Sequence, residues 1–95
     1  MVKHIVFFKL TDNSDKNKEL VKNRLLSLRG EVEVLQNIEV GLNFADEERA
    51  YDIALLTDFK NEEDLKTYSI HPYHLKIVDF IKTVVHSSKV VDFKY

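Results

Sequence analysis

The chain has 95 residues, no cysteine, 14 Lys and Arg against 16 Asp and Glu, and a formal charge of −2. A chain this small builds only a modest core and commonly gains stability from a disulfide, a metal or a partner. The missing cysteines exclude disulfides and thiolate metal sites, and the slight negative charge argues against electrostatic capture of nucleic acid, so association is the expected support.

Residues 1–95 read as one domain. No apolar run approaches the roughly 20 residues of a membrane span. Met1-Val2-Lys3-His4 leads directly into a strand pattern rather than a signal-peptide layout. The expectation is a cytoplasmic protein with no membrane or nucleic-acid partner.

Val2 to Leu10 is β-branched and aromatic, which favours extended backbone, with Val2, His4, Val6, Phe8 and Leu10 on one face. Asp12 or Ser14 can cap a following helix, whose stripe is Leu20, Val21, Leu25, Leu28, Val32 and Leu35. Gln36 to Phe44 alternates cleanly as a second strand, and Tyr51 to Phe59 is the third. The acidic Ala45–Arg49 connection is short, so these two strands form an antiparallel hairpin.

Asn61 with Asp64 is a weak capping box, and three acids at Glu62-Glu63-Asp64 suit the positive end of a helix dipole. Pro72, the only proline, breaks this helix and fits best as the first residue of a renewed one, with His71 at its cap. Leu75, Val78, Ile81 and Val85 form the expected inner stripe, followed by a last strand from about Lys89 to Tyr95. The order β-α-β-β-α-β predicts an α+β, ferredoxin-like protomer: a four-stranded antiparallel sheet with helices on one face.

Those helices cover one face only, yet the strand centres are apolar on both: Val6 and Phe8 against Ile5 and Phe7, Ile53 and Leu55 against Ala54 and Leu56. Uncovered, the second face would be a contiguous apolar patch, which monomers avoid. Burying several hundred Å² there would contribute on the order of 10 kcal/mol before association costs, at about 25 cal/mol per Å². A homodimer packed sheet against sheet is the simplest solution.

The stretch Tyr68-Ser69-Ile70-His71-Pro72-Tyr73-His74-Leu75 concentrates two of the four histidines and two of the four tyrosines around the proline break. With the opening Lys3-His4-Ile5-Val6-Phe7-Phe8-Lys9-Leu10, Asp52-Ile53-Ala54-Leu55, Asp58-Phe59 and the closing Val91-Asp92-Phe93, it resembles the stress-responsive dimeric A/B barrel (Dabb) family nearly end to end. The resemblance implies a homodimer whose two sheets close into an α+β barrel. Most members have no assigned reaction. One branch, the olivetolic acid cyclase-like proteins, closes a linear polyketide thioester by aldol condensation. On that resemblance Tyr68 and His74 stand at the catalytic positions, His4 at a supporting one, and His71 matches a further histidine.

The chemistry of the residues is compatible with this. A histidine titrating near neutrality can remove a proton alpha to a carbonyl, and a tyrosine hydroxyl can stabilise the resulting oxyanion. His4, Val6 and Phe8 share a strand face and would join Tyr68, His74 and His71 around a mostly apolar pocket holding a small apolar or aromatic ligand. A polyketide-cyclase-like or isomerase-like acid–base enzyme is the alternative to a non-catalytic binding protein. A third reading is structural: Tyr68 as a core aromatic, His71 as a cap, and His74 as a pin between helix and first strand. His71 and His74 are too few for a zinc site and are separated by proline; adding His4 would give three ligands only in a geometry the sequence does not show, so no metal or other cofactor is expected.

Overall fold

The computed structural model describes residues Met1–Tyr95. Strand β1 (Val2–Leu10) leads to helix α1 (Asp15–Leu26), strands β2 (Asn37–Leu42) and β3 (Ile53–Phe59), helices α2 (Glu62–Ile70) and α3 (Pro72–Val84), and strand β4 (Val85–Lys94). The sheet order is β2-β3-β1-β4, with every neighbouring pair antiparallel. This is the ferredoxin-like arrangement, with the second helical segment divided in two at His71-Pro72.

Local chemistry fixes the helix starts. Ser14 caps α1 by accepting from the Asn17 N–H, and the Asn61 side chain accepts from the Asp64 N–H at 2.8 Å to cap α2. Pro72 opens α3, where its missing donor costs nothing, and the His71 ring accepts from the Tyr73 N–H at 3.1 Å.

The stripe expected to carry α1 as far as Leu35 extends beyond the helix. The α helix ends at Leu26, and the chain continues through tighter turns in which Leu28 donates to Leu25 and Glu31 to Leu28. Gly30 then takes a positive φ of 82°, which a side chain would oppose. Leu28 and Val32 remain fully packed, because three-residue turns preserve the buried side of the stripe.

Register assigns the two sheet faces. Val2, His4, Val6 and Phe8 lie opposite Phe59, Thr57, Leu55 and Ile53 on the helix side. With Val21, Leu25 and Leu28 from the α1 region, these strands build the main core. The other side carries Ile5 opposite Leu56 and Val91, and Phe7 opposite Ala54, while Phe93 lies beside Lys3. Phe7, Val91 and Phe93 are 44%, 59% and 42% exposed, so one protomer leaves this apolar face open.

Two expectations at the C-terminal end are corrected. The fully buried position on α3 is Ile77, and of the expected stripe Ile81 and Val85 do pack against the core and Val78 lines the cavity, but Leu75 points outward. Strand β4 begins at Val85 rather than near Lys89, directly after Val84. Its pairing steps from Ser87 opposite Lys9 to Val85 opposite Leu10, so His86 is an extra, bulged residue.

Candidate functional site

Between α3 and the helix-side face of the sheet lies a cavity of about 450 Å³. Val6, Phe8, Leu25, Leu28, Leu55 and Ile77 supply most of its apolar wall. Such a volume and lining are typical of small-molecule sites. His4, Tyr68 and His74 meet at one end, and His86, Ser87 and Ser88 from β4 lie along the lining near Phe8.

Tyr68 is buried against Phe59, with ring centroids 4.9 Å apart, and His74 lies on it at 4.2 Å. Burial pushes its phenol far above the ordinary tyrosine range, so it remains a proton donor at physiological pH. No buried polar side-chain atom lacks a hydrogen-bond partner, and Tyr68 makes no side-chain hydrogen bond, so its hydroxyl is accessible from the cavity.

The His74 Nδ1 lies 3.1 Å from the Ser69 carbonyl. A carbonyl only accepts, so Nδ1 carries the proton and the Nε2 of a neutral His74 keeps its lone pair. Burial lowers the pKa of His74; the Ser69 hydrogen bond opposes that effect, and nearby His4 and His71 reinforce it. The result is a neutral imidazole beside a protonated phenol.

His4 reaches the same end from β1, its ring 6.3 Å from that of Tyr68. Its Nδ1 bonds the Asp92 carboxylate from the adjoining β4 position, which fixes a proton on Nδ1. Asp92 is the polar partner that sequence reasoning missed. Its detectable signal was an acid set among the apolar Val90, Val91 and Phe93, but the connection to His4 exists only once the β1–β4 register is known.

The predicted site residues therefore separate. His4, Val6, Phe8, Tyr68 and His74 all line the cavity. His71 does not: its Nδ1 caps α3, as the structural reading of that residue had it. No group of three or more His, Cys, Asp or Glu side chains has an arrangement suited to a metal ion. No helix is long and apolar enough to cross a membrane.

The fold and cavity define a ferredoxin-like α+β protein with a helix-covered pocket. The chain belongs to the stress responsive A/B barrel domain family, whose model matches residues 2–95. It is 32% identical over 77 residues to an uncharacterised protein of Streptomyces coelicolor, covering 78% of this chain and 79% of that one. A structure from Bacteroides fragilis, described as a dimeric protein of unknown function with a ferredoxin-like fold, is 34% identical. It superposes with a TM-score of 0.83 over 99% of this chain and 95% of its own. A dimeric ferredoxin-like protein of unknown function from Thermobifida fusca, 24% identical, shows the same fold with a TM-score of 0.85, covering 99% and 90% of the two chains.

Proposed function

We propose that the protein acts as a homodimer in which each protomer binds a small, largely apolar or aromatic molecule between α3 and the sheet. The carrying observation is the 450 Å³ cavity, in which the Tyr68 hydroxyl faces open space without a protein partner. An apolar wall with a few converging polar groups suits a ligand that buries a hydrocarbon body and uses one oxygen for orientation. The homodimer is supported by the open apolar face and by the dimeric description of the Bacteroides relative. The test is a ligand screen by thermal shift and NMR, repeated on His74→Ala and Tyr68→Phe. Cavity ligands should lose affinity in both variants; hits unaffected by either change would remove the site.

A second reading is favoured by the tautomer of His74. With Nδ1–H committed to Ser69, Nε2 is free to take a proton alpha to a substrate carbonyl. The Tyr68 phenol would then donate a hydrogen bond to the enolate oxygen formed as the C–H electrons move toward the carbonyl. Protein-catalysed exchange of the alpha C–H of a bound ketone for deuterium from D2O, measured above the buffer background, provides the test. Exchange no faster than in the His74→Ala variant counts against catalysis.

A further inference from the structure

We infer that the cavity selects an amphipathic organic anion, its carboxylate held where Lys82 and His86 adjoin the cavity and its other polar end directed to Tyr68 and His74. This rests on the cavity being a binding site. It adds a charge and an orientation to that reading.

The lining contains Lys82, His86, His74 and His4 but no Asp or Glu, although acids outnumber Lys and Arg in the whole chain. Lys82 makes no ion pair, and neither does His86. Asp92 is engaged by His4 and does not line this cavity. A ligand carboxylate would therefore meet the Lys82 ammonium, with the His86 ring beside it as a hydrogen-bonding group, and no protein carboxylate in the lining to compete.

The two polar ends are separated consistently on two elements. From His74 to Lys82 the α3 axis rises about 12 Å, at about 1.5 Å per residue. From His4 to Phe8, which pairs with Ser88 beside the bulge, β1 advances about 13 Å at about 3.3 Å per residue. Apolar residues Val6, Ile77, Val78 and Ile81 occupy the interval.

The β4 bulge is the second, independent sign of a built site. In a regular strand alternate side chains leave the cavity side, yet Val85, His86, Ser87 and Ser88 all contribute to the lining. The extra residue at His86 breaks the alternation and gathers donors at this end. The chemical class that fits is a carboxylic acid with a hydrocarbon body about 10–12 Å long and a distal hydroxyl or carbonyl, on the scale set by the α3 rise.

The probes are ω-hydroxydecanoate and its methyl ester, titrated by calorimetry into the wild-type protein, Lys82→Met, Lys82→Arg and His86→Gln. The acid should bind the wild type at least ten-fold more tightly than the ester, about the effect of one charge-assisted hydrogen bond. Lys82→Met should abolish most of that preference, Lys82→Arg should retain it, and His86→Gln should reduce it. Equal binding of acid and ester, or a preference unchanged in Lys82→Met, overturns the anion assignment while leaving the cavity as a binding site. Binding of neither probe at millimolar concentration removes both readings. Lys82 is exposed, and thermal midpoints within about 2 °C of wild type would establish that the variants are folded, since surface changes rarely exceed about 0.5 kcal/mol.

Discussion

His74 rests on Tyr68 with ring centroids 4.2 Å apart, while its Nδ1 proton is given to the Ser69 carbonyl. Both the contact and the hydrogen bond cross the break at Pro72. The proline ends α2 and restarts the chain as α3, and the change of direction turns two side chains from separate helices onto each other.

The lowered pKa of His74 gives stability a defined pH dependence. The unfolded imidazole titrates near 6.5, and the folded one titrates lower because burial disfavours its charge. Between those values the unfolded state binds more protons, so stability rises with pH. The contribution is complete above about 6.5. It is lost as pH falls towards the folded-state value, and the loss levels off below that value. Urea titrations from pH 7.5 to 5 should show this slope in the wild type and a shallower one in His74→Gln. Identical slopes would assign the titration to another group.

Tyr68→Phe should leave stability within about 0.5 kcal/mol, because the hydroxyl removed has no protein partner whose loss would strand a buried group. Tyr68→Ala should cost about 3–5 kcal/mol by removing an aromatic packed against Phe59 and His74. Denaturant midpoints separate the two effects. A large loss in the Phe variant would mean that the hydroxyl is structurally bonded.

His71 acts through the helix start. His71→Ala should cost about 1 kcal/mol, the usual value of an N-cap, and His71→Asn should recover most of it. Affinity for cavity ligands should change little in the Asn variant. A selective loss of binding with normal stability would return His71 to the ligand site.

The open sheet face makes a separate prediction. Phe7→Glu places a charge at the centre of that face and should raise the dimer dissociation constant by at least about 100-fold, the scale of removing an interface anchor and burying an unpaired charge. Sedimentation velocity across a concentration series measures this directly. An unchanged dimer would place the interface elsewhere.

Much of this architecture can be read from particular residues. Strand β1 follows from the β-branched and aromatic run Val2–Leu10, α2 from Asn61 and Asp64, and α3 from Pro72, because each is set by neighbours in sequence. The convergence of His4, Tyr68 and His74 is reached from sequence only through shared faces and family resemblance. Asp92 depends on strand register, and the phase of α3 depends on where the proline restarts it. The β4 start is hidden because Val84-Val85 suits either a helix end or a strand beginning. The bulge at His86 leaves no local composition signal.

The direct passage from α3 to β4 has a kinetic consequence. Val84 ends the helix and accepts a hydrogen bond from the Thr11 N–H at 3.0 Å, while the Val85 N–H still bonds Ile81. This edge of the cavity is therefore continuous hydrogen-bonded backbone, with no connecting loop to act as a hinged cover. No lid motion at this edge limits ligand entry. Stopped-flow traces should fit one exponential whose rate rises linearly with ligand concentration; a plateau would reveal a gate elsewhere in the wall.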